Sequence, residues 1–119
     1  MHRKQSEKLS EELAILHAAT LRSSSSPVLA VHRPTPDAQF SLTLQRELGE
    51  EKRPLLLTMG EAGAAQFVFR GEEEVVDRLG KEVTERLGGK GGGKNGRVQG
   101  KFSDVGKVGP TVEWLKSVV

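Results

Sequence analysis

The residues most able to do chemistry lie in one short run, LGGKGGGKNGRVQGKF at positions 87–102, where glycines alternate with cations. Glycine lets backbone N–H groups approach a ligand closely, and successive N–H groups can form an anion-binding nest. Lysine and arginine add charge, and arginine adds a planar fork that fits phosphate. Residues 90–107 hold five cations and one acid, a net charge of +4 against +2 for the whole chain. The run therefore predicts a local contact with an anion, and a solvated linker is the alternative.

Two nucleotide-binding fingerprints nearly match this run. Gly88, Gly93 and Lys94 fit the P-loop pattern, but Asn95 stands where a Ser or Thr hydroxyl must hold magnesium. The dinucleotide spacing G-x-G-x-x-G also occurs, but Lys116 stands where an acid is needed about twenty residues later. Both motifs lead from a strand into a helix, whereas this run follows a predicted helix and precedes a predicted strand. We therefore expect neither nucleotide site.

Outside this run, few residues could do chemistry. The chain has no cysteine and three histidines, His2, His17 and His32, none with H-x-x-x-H spacing. A thiolate metal site is therefore excluded, and we expect no metal, no cofactor and no catalytic residue. The acids Glu72–Glu74 suit the start of a helix. Trp114 is expected to close the core, and a base-stacking platform is the alternative.

Length and composition indicate the class of protein. The 119 residues, 35% hydrophobic and 29% charged, suit about one globular domain. No apolar run approaches the roughly 20 residues that span a bilayer, and the polar N-terminus does not suit a signal peptide. We therefore expect a cytoplasmic protein that contacts no membrane.

The elements that carry the run alternate between helix and strand. Apolar residues at helical spacing predict four helices, over residues 3–22, 38–49, 72–89 and 110–119. Short runs rich in Val, Leu and Phe predict four strands, the middle two forming a hairpin, at residues 27–33, 53–60, 65–71 and 97–102. Asp37 suits an N-cap, and Gly49 and Gly88 suit helix ends. We therefore predict an α/β (α+β) domain with a small mixed four-stranded sheet packed by helices, in which a glycine-rich loop precedes a last strand at the sheet edge.

The N-terminal helix carries an apolar stripe of its own. Leu9, Leu13, Leu16 and Thr20 follow one another at spacings of 4, 3 and 4. The stripe either packs on its own domain or marks the end of a longer helical arm. The spacing also fits a short coiled-coil seam, but barely two heptads are present, too few to predict one. We place a domain boundary after this helix, which leaves an N-terminal helix over residues 1–22 and an α/β domain over residues 23–119.

The segment GGKGGGKNGRVQGK resembles the glycine-rich signature of the DHH-associated domain, found at the C-terminus of alanyl-tRNA synthetases and of synthetase-like alanyl-tRNA editing proteins. The family pattern has a G-G-K-G-G-G or G-K-G-x-G-K segment, a basic or polar spacer, and a Q-G or Q-A pair. Gln99 and Gly100 supply that pair here. The upstream helices and strands also fit, so the resemblance covers residues 8–107.

The resemblance implies a mixed α/β domain that grips tRNA, in the first instance tRNA(Ala), while a separate zinc-dependent editing domain hydrolyses mischarged aminoacyl-tRNA. The family's zinc motifs, H-x-x-x-H and C-x-x-x-H, do not occur in this sequence. We therefore expect a binding module without its catalyst. In full-length alanyl-tRNA synthetases this domain can also support dimerisation, so the resemblance makes a homodimer a further expectation.

The nucleic-acid contacts are expected within the glycine-rich run. Its cations would bind phosphates, its glycines would let the backbone approach, and its glutamine would bond a base or ribose or play a structural part. The expected residues are Lys90, Gly91, Gly92, Gly93, Lys94, Arg97, Gln99 and Lys101. The alternative function, suggested by the N-terminal stripe, is an oligomerisation or docking module with no direct RNA contact.

Overall fold

The computed structural model describes residues 2–49, 51–94 and 96–119, and for residues 2–7 and 94 it describes the backbone alone. Helices and strands alternate as predicted, with one strand more than expected. In chain order the elements are α1 (His2–Ser23), β1 (Leu29–Arg33), α2 (Ala38–Leu48), β2 (Leu55–Glu61), β3 (Ala64–Arg70), α3 (Glu73–Leu87), β4 (Lys90–Lys94), β5 (Arg97–Phe102), a 3-10 turn (Val105–Lys107) and α4 (Val108–Val118).

The strands form one mixed sheet in the order β1-β2-β3-β5-β4. Strands β1 and β2 are parallel, and every other described pair is antiparallel. The predicted mixed α/β class is therefore confirmed. The predicted hairpin is also present, because β2 and β3 pair around a turn at Gly63, whose φ is 91°.

Two details of the predicted sheet are wrong. The segment Lys90–Lys94 is a strand and not a loop, so the sheet has five strands. Strand β5 lies between β3 and β4, and the edge position belongs to β4. The reason is a tight hairpin: Lys94 pairs with Arg97, and Gly96 has a φ of 80° that suits a two-residue turn. Strands pair through their backbones, so a segment without side chains can still join the sheet.

By its contacts the chain divides into two compact units, Met1–Ser25 with Asp37–Glu51, and Ser26–Pro36 with Lys52–Val119. The first unit is the pair of helices α1 and α2. Asp37 caps α2 as predicted, because its side chain accepts a 3.0 Å hydrogen bond from the Phe40 N–H. The same carboxylate accepts a 2.6 Å bond from Ser10 Oγ on α1. The predicted domain boundary after residue 22 stays a prediction.

Helix α1 packs on α2 mainly through small residues, and of the leucines in its stripe only Leu13 is half-buried. Ala14 and Ala18 are 0% exposed, whereas Leu9 and Leu16 are 65% and 66% exposed. His17 lies beside the alanines, with its ring edge-on to Phe40 at 5.4 Å between centroids. Alanine lets two helices approach closely, so the better-packed face of α1 is the one with the shorter side chains.

The second unit packs α3 and α4 on one face of the sheet. Val98 of β5 fits against Gly80 of α3, where an added Cβ would lie 2.8 Å from the valine methyl. Trp114 of α4 is half-buried against the core, as predicted, and the guanidinium of Arg86 lies 4.2 Å from its ring centroid. The buried residues of this core are Val28, Leu56, Ala65, Phe67, Phe69, Val76, Leu79, Val83, Leu87, Phe102 and Leu115.

Candidate nucleic-acid interface

The β4–β5 hairpin brings most of the predicted contact residues onto one face of the sheet. Lys90 pairs with Lys101, and Gly92 pairs with Gln99. Side chains at alternate positions of a strand point to the same face, so Arg97, Gln99 and Lys101 share one side of β5. Their side chains, and that of Lys90, are exposed. The opposite side of β5 carries Val98 and packs on α3.

Strand β3 extends this face with residues that the sequence analysis did not select. Gln66 pairs with Lys101, and Arg70 pairs with Arg97. The alternation of side chains in AQFVFR indicates where these two residues point. Gln66 and Arg70 fall on the side of the strand opposite the two buried phenylalanines. The sequence does not show that β3 pairs with β5. This pairing places Gln66 and Arg70 beside the polar and cationic residues of β5. We call the exposed side of these three strands, with Gln66, Arg70, Lys90, Arg97, Gln99 and Lys101, the cationic face.

Arg70 and Arg97 concentrate positive charge at one end of the cationic face. Partial burial, and then the charge of Arg97, lowers the pKa of the Arg70 guanidinium. Nη2 of Arg97 donates a 3.3 Å hydrogen bond to Oε1 of Gln99, which leaves the glutamine amide nitrogen as a donor. Lys94 pairs with Arg97 through its backbone, and its side chain lies outside the described atoms. The face thus presents several cationic donors and the amide side chains of Gln66 and Gln99.

The glycines of β4 do not all serve the same purpose. A Cβ at Gly91 would meet the carbonyl oxygen of Gln99, and one at Gly93 would meet that of Arg97. These two positions are therefore restricted to glycine by the close approach of β4 to β5. Gly92 differs, because a Cβ there would meet nothing within 4 Å. The packing of the hairpin therefore does not explain why residue 92 is a glycine. At Gly92 the backbone of the cationic face is not covered by a side chain.

The other candidate groups lie apart from this face. Nδ1 of His32 lies 2.8 Å from Oγ1 of Thr58, and His17 packs on Phe40. The side chain of His2 lies outside the described atoms. Within residues 2–49, 51–94 and 96–119, no group of three or more His, Cys, Asp or Glu residues could hold a metal ion. No helix in the same ranges is long and apolar enough to cross a membrane.

Comparison with known proteins gives relatives for most of the chain. No family model matches it. The alanyl-tRNA editing protein Aarsd1 of Rattus norvegicus is 42% identical over 102 residues, and that of Mus musculus is 41% identical over 102 residues. The Danio rerio protein of the same name is 34% identical over 99 residues. Aarsd1 proteins are homologues of this chain.

The match to Aarsd1 covers one segment of that protein. The alignments to rat and mouse Aarsd1 include 83% of this chain and 25% of each relative, and the zebrafish alignment includes 81% and 24%. The chain therefore spans about a quarter of the length of the Aarsd1 proteins that it matches. The resemblance predicted from the glycine-rich run is confirmed.

A solved structure supports the fold. The C-Ala domain of Aquifex aeolicus alanyl-tRNA synthetase superposes with a TM-score of 0.62, over 76% of this chain and 88% of that domain. The sequence identity is 20%. At that identity, the likeness establishes a shared architecture of helices around a mixed sheet, and the roles of individual residues must come from the geometry of this chain.

Proposed function

We propose that this chain is a non-catalytic accessory domain that binds tRNA, in the first instance tRNA(Ala), through its cationic face. The names of its relatives supply the substrate class, since they are alanyl-tRNA editing proteins. One observation carries the mode of binding: the exposed cations Lys90, Arg97 and Lys101 and the half-buried Arg70 lie on the same side of three neighbouring strands. Such a face fits a polyanion better than it fits a small ligand, because its charges are spread out.

The spacing of the cations suits a sugar-phosphate backbone. Neighbouring strands lie about 4.8 Å apart, and alternate residues along a strand about 6.8 Å apart. The face from β3 to β4 is therefore about 10 Å wide and can contact more than one phosphate. Phosphate contacts of this kind position an RNA without reading its sequence. The bare backbone at Gly92 would let the RNA approach between Lys90 and Gln99.

In this proposal, a different domain carries out the chemical step. The chain contributes binding, and a separate zinc-dependent editing domain would hydrolyse the mischarged tRNA. The support is the lack of cysteine in the sequence and of a metal-binding cluster in the described residues. The purified chain should therefore leave Ser-tRNA(Ala) intact in a deacylation assay. Hydrolysis by the chain alone would contradict this assignment.

Salt-dependent tRNA binding tests the proposed interface. The variant Lys90→Ala/Arg97→Ala/Lys101→Ala removes three exposed cations from the cationic face. Each phosphate contact adds about one unit to the slope of log affinity against log salt, so the slope should fall by about three. Filter binding or fluorescence anisotropy with labelled tRNA(Ala) at several salt concentrations measures both affinity and slope.

A charge-matched variant controls for net charge. Lys52→Ala/Arg78→Ala/Lys116→Ala also removes three exposed cations, but none belongs to the cationic face. This variant should keep most of the affinity and most of the salt slope. Equal losses in both variants would indicate a nonspecific charge effect, and unchanged binding in the first would exclude the cationic face as the interface.

The second candidate function is an oligomerisation or docking module without RNA contact. The observation that favours it is the exposure of Leu9 and Leu16 on α1. If it is correct, Leu9→Ser/Leu16→Ser will lower the mass found by sedimentation equilibrium at high protein concentration. A concentration-independent monomer for both the wild type and this variant would exclude it.

A further inference from the structure

The cations of the cationic face stand at its two ends, and the row between the ends is uncharged. Arg70 lies opposite Arg97 at one end. Lys101 lies opposite Lys90 at the other end. Arg97 and Lys101 are four residues apart on β5, which places the two ends about 14 Å apart along the strand. The face is therefore a neutral strip between two pairs of cations.

The neutral strip consists of Val68, Gln99 and Gly92, which lie side by side on β3, β5 and β4. Val68 is 8% exposed and Gly92 has no side chain, so Gln99 is the one long side chain of these three. An open depression of about 360 Å³ is lined in part by Gln66, Val68, Gln99 and Lys101. The strip thus offers a ligand an amide and uncovered backbone, with nothing that projects far from the sheet.

Among the residues that the structure describes, the cationic face carries no aromatic side chain on which an unpaired base could stack. The four phenylalanines are buried, and Trp114 lies on α4, which packs on the other side of the sheet. Proteins that bind single-stranded nucleic acid do so largely by stacking bases on aromatic side chains. The face therefore suits a base-paired segment better than a single strand.

We infer that the cationic face binds across the minor groove of a double-helical RNA stem. The two pairs of cations would contact phosphates of the two opposite strands, and the neutral strip would meet the ribose 2′-hydroxyls between them. The minor groove of A-form RNA is wide and shallow and displays these hydroxyls, so a flat face can span it. The inference rests on the proposed function, because it names the part of a tRNA that the face would bind.

The dimensions of the face argue against a DNA duplex. The minor groove of B-DNA is about 6 Å wide, less than half of the distance between the two pairs of cations. The major groove of B-DNA is about 12 Å wide but about 8.5 Å deep, and it is read by elements that enter it, such as a helix. Val68 and Gly92 give the neutral strip no element of that kind.

Gln99 is placed to distinguish RNA from DNA. Its Oε1 accepts a 3.3 Å hydrogen bond from Nη2 of Arg97, which leaves its amide nitrogen as a donor. A ribose 2′-hydroxyl can accept a hydrogen bond from that nitrogen, and deoxyribose has no such group. The side chain of Gln99 is exposed, so the hydroxyl can reach it.

The first test compares four labelled ligands by fluorescence anisotropy at one salt concentration. They are tRNA(Ala), an RNA duplex of about twelve base pairs, one of its strands alone, and the DNA duplex of the same sequence. The RNA duplex should bind about tenfold more tightly than the single strand or the DNA duplex. If tRNA(Ala) binds and the single strand binds as well as the RNA duplex, this inference alone is overturned. Failure of tRNA(Ala) to bind would refute the proposed function as well.

The second test removes the contact to the 2′-hydroxyl. Gln99→Leu should weaken binding of the RNA duplex by about threefold and leave binding of the DNA duplex unchanged. Gln45→Leu is the matched control, since Gln45 lies on α2, and it should change neither affinity. An RNA duplex with 2′-O-methyl groups should also bind the wild-type chain about threefold more weakly, which tests the contact without a variant. Equal binding of the methylated and unmodified RNA duplexes would overturn the inference, as would equal losses for RNA and DNA in Gln99→Leu. Thermal unfolding verifies that both variants fold.

Discussion

Arg70 of β3 and Arg97 of β5 lie directly opposite each other, so two guanidinium groups share one end of the cationic face. Partial burial and the charge of Arg97 together lower the pKa of Arg70. Like charges directly opposite each other repel. A bound phosphate would interact favourably with both guanidinium groups, which agrees with the proposed function.

The first prediction concerns this pair. Arg97→Gln removes the like charge opposite Arg70 and should raise the free energy of unfolding by about 0.2–1 kcal/mol at low salt. The gain should shrink at high salt, where the repulsion is screened. Urea unfolding at two salt concentrations measures both. Lys116→Gln is the control, because Lys116 lies 3.8 Å from Glu113 and its loss relieves no repulsion. A destabilised Arg97→Gln at low salt would contradict the prediction.

The second prediction separates two neighbouring glycines. Gly91→Ala should destabilise the protein by about 1–3 kcal/mol, because its Cβ would lie 2.7 Å from the Cα of Gly100. Gly92→Ala should leave stability within about 0.5 kcal/mol, since its Cβ meets nothing. It should nevertheless weaken tRNA binding by about threefold, because it covers bare backbone in the cationic face. Denaturation and anisotropy titrations measure the two effects.

Gly109 provides the control for that experiment. A Cβ there also meets nothing within 4 Å, but Gly109 lies in α4 and not in the cationic face. Gly109→Ala should therefore leave tRNA affinity unchanged, and it should not destabilise the protein, because alanine is the better helix former. If Gly92→Ala bound tRNA as well as Gly109→Ala does, close approach of the RNA at Gly92 would be excluded.

The third prediction concerns Trp114, which packs on the core and under the guanidinium of Arg86. Arg86→Met should lower the free energy of unfolding by about 0.5–1 kcal/mol, because it removes a cation–π contact at a partly exposed site and the 2.7 Å salt bridge to Glu82. Trp114 is the chain's one tryptophan, so its fluorescence reports the unfolding directly. Neither Arg86→Met nor Trp114→Leu should change tRNA affinity. A loss of affinity in Trp114→Leu would instead support the base-stacking alternative.

The fourth prediction concerns the two sides of α1. Leu16→Ser should change the free energy of unfolding by less than about 0.5 kcal/mol, because Leu16 is exposed. Ala14→Leu should destabilise the protein by about 1–3 kcal/mol, because Ala14 is fully buried and a larger side chain overpacks the site. Urea unfolding compares the two. The reverse ranking would mean that the leucine stripe packs inward.

Much of the fold could be predicted from local signals. Asp37 caps α2, and Gly49 and Gly88 end their helices with φ values of 53° and 71°. Each of these residues acts on its own few neighbours, so its effect is visible in the sequence. The Asn-Gly pair at 95–96 was a signal of the same kind for a tight hairpin. The glycines around this pair are typical of loops, and they favour a loop over a hairpin when the sequence alone is considered.

The sequence by itself determined one part of the cationic face, the cations of the glycine-rich run, because Lys90, Arg97 and Lys101 are close in the chain. It also determined the family resemblance, which depends on residue types in order. Only the tertiary structure decided that Lys90–Lys94 is a strand, that β3 brings Arg70 to Arg97, and that α1 buries its alanines. The physical reason is that strand pairing and helix packing depend on partners distant in sequence, whose register and closeness no local pattern records.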